Sequence, residues 1–294
     1  MLLVALLSWA VVNFSSAFMR SAPDYEASLD NQLQMGALVQ TLESSRYWVK
    51  VVSEDYTGWI TDNGITLLSD EDKDSYLNAP KWICVADYSH IRVAPSESSE
   101  PLSDVTMGNI LRQTGKSSGG WTCVLMPDGR YGWMLSHELM DFRLWAESRE
   151  STDRAREITS LACSFAGTPY MWGGNTVKHF DCSGLVKFCF FMNGILLPRN
   201  ASQQQRCGTP VTDGRYAPGD LLFFGSKNPF RVSHVAIYLG DGRIVHSSHS
   251  VKIARLSDYG REVVAATRIL GDIDNGKGVC SVSCSPYYFS QDGR

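Results

Sequence analysis

Phe180-Asp181-Cys182-Ser183-Gly184, followed at once by the apolar run from Leu185 to Phe191, is the stretch on which the reading of this chain turns. A Gly173-Gly174 turn precedes it, so the cysteine falls where a loop becomes a helix. There its side chain sits beside unpaired N–H groups and the positive end of the helix dipole, which favour thiolate over thiol. A cysteine so placed is a candidate nucleophile; a small buried core residue is the alternative. Downstream, Ser233-His234-Val235-Ala236-Ile237-Tyr238-Leu239 and Arg243-Ile244-Val245-His246-Ser247-Ser248 flank Gly240-Asp241-Gly242, the pattern of a β-hairpin. His234 opens one strand and His246 closes the other, so both imidazoles reach one edge of the sheet. Cys182 as nucleophile, His234 as base and His246 as the group that holds the base's tautomer satisfy the generalised triad logic.

Five blocks in order, Tyr170-Met171-Trp172-Gly173-Gly174, Phe180 to Gly184, Pro198-Arg199-Asn200-Ala201-Ser202, Pro218-Gly219-Asp220-Leu221 and Ser233 to Tyr238, resemble the NlpC-type papain-like cysteine peptidases of bacterial cell-wall peptides. The resemblance covers roughly residues 150–272 and implies an α+β papain-like catalytic domain. It makes Cys182 the nucleophile, His234 the base, His246 the third polar residue and Tyr170 a hydroxyl facing the developing oxyanion. For Tyr170 and Trp172 the alternative is aromatic core packing.

Upstream the chain repeats itself. Met19-Arg20-Ser21-Ala22-Pro23 returns as Ile91-Arg92-Val93-Ala94-Pro95, Met35-Gly36 as Met107-Gly108, Trp48-Val49-Lys50-Val51 as Trp121-Thr122-Cys123-Val124, and Gly58-Trp59-Ile60 as Gly132-Trp133-Met134. Each copy alternates short apolar strands with Gly, Pro, Asp and Ser turns, a small-barrel pattern. The Gly-Trp pair suits a strand entering a tight corner with its aromatic turned into the barrel. These copies resemble bacterial SH3-like domains. The expected organisation is a partial export signal over residues 1–8, SH3-like β-barrels over 9–82 and 83–145, and the catalytic domain over 146–294. The charged stretch over residues 141–157 reads as a connector. A helix then begins near Ser151 or Thr152 as N-cap, with Ala155, Ile158, Leu161, Ala162 and Phe165 at helical spacing.

The 294 residues exceed what one core organises, in keeping with three units. At 44% hydrophobic, 20% charged and a net charge of −4, the composition is that of a globular protein with no basic field for nucleic acid. The apolar start is too short to span a membrane, and residues 10–20 are expected already to form barrel strands. The expected location is the bacterial cell envelope rather than the cytoplasm. Cys84, Cys123, Cys163, Cys189 and Cys207 read as buried thiols, while Cys280 and Cys284 form a tight pair open to a disulfide or two thiols. An extra strand is expected at Val279 to Val282.

Two SH3-like domains ahead of this catalytic type resemble γ-D-glutamyl-L-diamino acid endopeptidases acting on peptidoglycan stem peptides. That resemblance implies a requirement for a free N-terminal L-alanine amine. Asp181 is then the carboxylate for the amine, or the cap of the helix, two roles that can coexist; Ser183, Ser202 and Trp172 line the substrate, and Glu26 and Tyr56 complete the amine pocket from the first barrel. Arg199 pairs a substrate carboxylate or anchors a loop. The mechanism is acyl transfer through a thioester, without a metal or organic cofactor. Different readings are a non-catalytic wall-binding protein and an acyltransferase on the same scaffold.

Overall fold

The computed structural model describes residues 9–148 and 153–290. The segment over residues 1–8, read as an export signal, lies outside the described residues, as do Ser151 and Thr152. The chain divides into two units, Met1–Ala146 with Pro286–Arg294, and Glu147–Ser285.

In the first unit β1 (Trp9–Val12), β2 (Ala17–Arg20), β3 (Leu29–Leu33), β4 (Leu38–Ser45), β5 (Trp48–Val52), β6 (Thr57–Thr61) and β7 (Ile65–Leu68) pair in the order β3-β2-β6-β5-β4-β1-β7. After helix α1 (Asp70–Asn78) come β8 (Lys81–Cys84), β9 (Tyr88–Arg92), β10 (Pro101–Thr106), β11 (Ile110–Ser118), β12 (Trp121–Leu125), β13 (Tyr131–Leu135) and β14 (Leu139–Asp141). Their order, β10-β9-β13-β12-β11-β8-β14, repeats the first sheet strand for strand. The repeat in sequence is therefore a repeat of topology. Because β8 already pairs with β11 and β14, the second barrel starts at Lys81, two residues before the expected boundary.

Each barrel buries one face of its alternating strands. Ala10, Val12, Met19, Val39, Val51 and Ile60 fill the first, and Cys84, Ile91, Val105, Leu111, Val124 and Met134 the second. The Gly-Trp pair behaves differently from the expectation. With a side-chain period of two, the face that takes Ile60 into the core must take Gly58 with it, which turns Trp59 outward and half-buried under Lys50. It is the glycine that the barrel needs. A Cβ at Gly58 would lie 2.5 Å from Met19 Cγ, and one at Gly132 would lie 2.3 Å from Ile91 Cγ2. The two barrels meet at their equivalent turns: the Ile110 N–H donates to Met35 O at 2.9 Å, and Met35 packs within the second barrel's core.

The stretch expected as a charged connector begins with helix α2 (Phe142–Ser148), whose Phe142 and Trp145 are each 1% exposed. Phe289 stacks on Phe142 at 5.0 Å, so residues 286–290 belong to the first unit and not to the catalytic domain.

In the second unit α3 (Arg154–Ser164) has Asp153 in the N-cap position and buries Ile158 and Ala162. The short pair β15 (Asn175–Thr176) and β16 (His179–Phe180) leads into α4 (Cys182–Phe191), and β17 (Ile195–Leu196) and α5 (Ala201–Gln204) follow. Then come β18 (Thr209–Pro210), β19 (Leu221–Lys227), β20 (Phe230–Gly240), β21 (Arg243–Ser248), β22 (Ser250–Arg255), β23 (Val263–Arg268) and β24 (Cys280–Ser281). The antiparallel sheet runs β18-β23-β19-β20-β21-β22. α4 packs against β20, and its Leu185, Val186, Phe188, Cys189, Phe190 and Phe191 are all buried. Its hydrophobic face is wide because it is the central helix of this unit. The expected extra strand is β24, paired with β17; Cys280 lies in it and Cys284 closes the following turn, so the two do not share one strand.

Candidate active site

Cys182 is the first residue of α4, and Asp181 caps that helix by accepting the Gly184 N–H at 2.7 Å. The Gly173-Gly174 turn lies directly against the helix start. The Asp181 N–H donates to Gly174 O at 3.0 Å, and a Cβ at Gly184 would fall 1.9 Å from that same oxygen. Glycine at 184 is thus a condition for the loop and the helix to meet. The Cys182 sulfur accepts the backbone N–H of Ser183 in its own helix and, across from it, that of Val235 on the strand that carries His234.

The hairpin turn is tight, with Asp241 at φ 52° and Gly242 at φ 68°, both left-handed as a primed turn demands. Ile237 pairs with Val245 and Tyr238 with Ile244. Continuing that register sets His246 opposite Ala236, two residues from His234 on the same face. The imidazoles meet accordingly: His234 Nε2 lies 3.1 Å from His246 Nδ1, with the rings near perpendicular at 87°. His234 is 5% exposed and His246 0%.

Burial sets the electrostatics. It pushes the Cys182 thiol up to about 11, assisted by the neighbouring Asp181 carboxylate and opposed by the two N–H donors and Arg199. It pulls His234 down to about 3, with His246, Arg261 and Lys252 adding to the effect, and His246 down to about 4. Burial thus works against the thiolate that the helix end favours, and toward the neutral form of both the thiol and the imidazole. Tyr170, half-buried, is raised to about 12 by burial and by Cys182 and Asp181, which keeps its hydroxyl a donor.

The residues around the cysteine sort differently from the sequence expectation. Asp181 is 6% exposed and its two oxygens already accept from the Gly173 N–H at 3.0 Å, the Gly184 N–H, the Ser183 hydroxyl at 3.3 Å and Arg199 in a bidentate pair. A carboxylate has about four acceptor positions, and these donors engage Asp181 as the cap of α4. Arg199, 1% exposed, anchors Asp181 and donates to Ser183 Oγ at 2.9 Å instead of awaiting a substrate carboxylate. Ser183 is likewise engaged inside the protein. Ser202 is exposed on α5, and Trp172 is 66% exposed on the turn before the helix, not part of the core. Glu26 and Tyr56 belong to the first unit, Glu26 exposed and Tyr56 packed against the first barrel's core.

Three further residues were not singled out from sequence. Gln204, 0% exposed, donates to Ser183 O at 3.0 Å and Pro198 O at 2.8 Å, tying the Pro198 block to the helix start. Asp220, in a block matched only as a motif, takes Arg268 in a bidentate pair at 2.8 Å and so fixes the corner into β19. Tyr259 packs on both imidazoles, 4.7 Å from His246 and 5.9 Å from His234 between ring centres. No local motif marks Tyr259, since the loop before β23 carries no catalytic pattern; only the closed sheet brings it there.

Residues 167–268 match the NlpC/P60 family, and residues 19–65 match the bacterial dipeptidyl-peptidase Sh3 domain. The chain is similar to the gamma-D-glutamyl-L-lysine dipeptidyl-peptidase of Bacillus cereus, 28% identical over 257 residues that span 82% of this chain and 75% of that protein. It is also 28% identical to dipeptidyl-peptidase 6 of Lysinibacillus sphaericus, over 81% of this chain and 87% of that one. The crystal structure of an NlpC/P60 family protein from Bacillus cereus superposes with a TM-score of 0.77 at 25% identity, covering 90% of this chain and all of that one. This chain therefore carries an NlpC/P60 domain behind bacterial SH3-like barrels, and it is a cysteine peptidase.

Proposed function

We propose that the protein hydrolyses the γ-D-glutamyl–diamino acid bond of peptidoglycan stem peptides and requires a free N-terminal L-alanine on them, acting at the cell envelope. The observation that carries the reading is the hydrogen-bonded His234–His246 pair on a strand whose Val235, next to His234, gives its backbone N–H to Cys182 at the helix N-terminus. The substrate class is supported by the names of the Bacillus cereus and Lysinibacillus sphaericus relatives, which align over most of both chains.

The steps follow from the protonation states. With His234 Nε2 engaged by His246, Nδ1 is the nitrogen that takes the Cys182 thiol proton as sulfur attacks the γ-glutamyl carbonyl carbon. The negative charge that forms on the carbonyl oxygen meets the Tyr170 hydroxyl. The protonated His234 then gives its proton to the diamino acid's nitrogen, the C–N bond breaks, and a thioester remains. Water, losing its proton to His234, attacks the thioester and returns the thiol. Asp181, Arg199 and Ser183 hold the helix start in place and take no proton.

Mass spectrometry after incubation with L-alanyl-γ-D-glutamyl-meso-diaminopimelate, the L-lysine analogue, and the same stems joined to N-acetylmuramic acid tests this reading, with Cys182→Ala as control. Cleavage of free stems alone, lost in the control, is the expected result. Cleavage of the muramyl stems at a similar rate would overturn the amine requirement, and no cleavage of any stem would overturn the substrate.

A further inference from the structure

His246 is fully buried, yet among the described residues its Nε2 has no hydrogen-bond partner; only Nδ1 is engaged, by His234. One hydrogen bond leaves a ring free to rotate about its axis, so something else must fix the plane of the pair. The loop over residues 256–262 supplies it. Tyr259 lies 4.7 Å from His246 at 69° and 4.8 Å from Phe224 at 69°, edge-to-face geometries that lock ring orientation. Its hydroxyl is bonded to the Arg261 side chain, and Arg261 donates to Ser233 Oγ at 2.9 Å. Ser233 immediately precedes His234. Loop and base are thereby tied at both ends of the imidazole pair.

The geometry points to Tyr259 as a positioning residue for the peptidase reaction: its ring is the wall that orients the His234–His246 pair toward Cys182, and Arg261 holds that wall to the base's own strand. This rests on His234 being the base. The groups that act on the pair are Lys252 from β22 and Tyr259 and Arg261 from the loop, with Phe224 of β19 beside them and Cys182 reaching the same strand through the Val235 N–H. The charged groups among these, Lys252 and Arg261, are both cations. Burial first, and then the Arg261 cation of this loop and Lys252 of β22, hold the imidazoles toward the unprotonated form, in which His234 can accept a proton.

Two readouts test the proposal on the full chain. Tyr259→Ala is expected to lower kcat about 10- to 100-fold with KM little changed, because a misplaced base costs that much. Tyr259→Phe, which keeps the ring, recovers most of kcat. Imidazole nitrogen NMR on the protein without substrate is expected to show both histidines neutral down to about pH 5 in the wild type, with titration moving toward the ordinary 6.5 in Tyr259→Ala and Arg261→Met. If Tyr259→Ala lowers only the unfolding temperature and leaves kcat and the imidazole titration in place, Tyr259 is core packing and the proposal is wrong. If no stem peptide is cleaved, the substrate reading fails, while the NMR titration still decides the role of Tyr259.

Discussion

At Cys182 two effects compete. A helix N-terminus stabilises an adjacent negative charge by about 0.3–1 kcal/mol, less than one pKa unit, whereas burial lifts the thiol from 9.0 to about 11. Alkylation of Cys182 by iodoacetamide is therefore expected to accelerate about tenfold per pH unit from neutrality upward; a plateau near pH 7 would reveal a standing thiolate–imidazolium pair instead. The histidines set a second pH dependence. Both have folded values below the ordinary 6.5, near 3 for His234 and near 4 for His246, so the unfolded chain takes up protons first as pH falls. Their stabilising contribution is complete above about pH 6.5 and is lost between there and pH 4 to 3, at up to about 1.4 kcal/mol per pH unit for each. Urea unfolding of wild type and His246→Gln at pH 7 and pH 5 measures it; the wild type loses more on acidification, and equal losses would contradict the shift. Asp181→Asn leaves Arg199 buried beside a neutral amide and is expected to cost about 3–5 kcal/mol, read from the same urea curves, whereas Ser202→Ala on the exposed face of α5 leaves them unmoved.

The elements show why particular glycines stand where they do. Gly184 lies inside α4, where Ala is ordinarily better by about 1 kcal/mol. Here the added carbon would overlap Gly174 O at 1.9 Å, between two backbones that cannot yield like a flexible side chain. Gly184→Ala is expected to destabilise the unit by about 2 kcal/mol or more and to reduce kcat by shifting Cys182, measured by chemical denaturation and steady-state rates. Unchanged stability would mean that the turn can retreat without consequence. The catalytic helix, the hairpin and the paired barrels were legible from sequence, because each is written in local periodicity and turn residues. The facing of Trp59 was not: a strand's alternation says that Gly58 and Trp59 point to opposite faces, but which face is the core depends on Met19 from another strand. The helical start of the connector was missed for a similar reason, since Phe142 and Trp145 look like isolated apolar residues among charges until their burial is seen.

Across the whole molecule, the chain passes from the barrel unit to the catalytic unit and back, returning at Pro286. Tyr287 meets the Trp9 ring at 6.3 Å and Phe289, 5% exposed, stacks on Phe142, so the barrels depend on the last residues of the chain. Phe289→Ala is expected to lower the stability of the barrel unit by about 3–5 kcal/mol while leaving the unfolding of the catalytic unit in place, as two transitions in calorimetry would show; an unshifted barrel transition would make the tail dispensable. The sequence by itself determined the two barrels, the cysteine at its helix end and the two histidines of one hairpin, because each rests on spacing within a few dozen residues. Tertiary structure alone decided that Asp181 is paired with Arg199, that burial raises the Cys182 thiol, and that Tyr259 packs on the imidazole pair. Those outcomes depend on desolvation and on partners brought together from separate elements, which residue spacing does not encode.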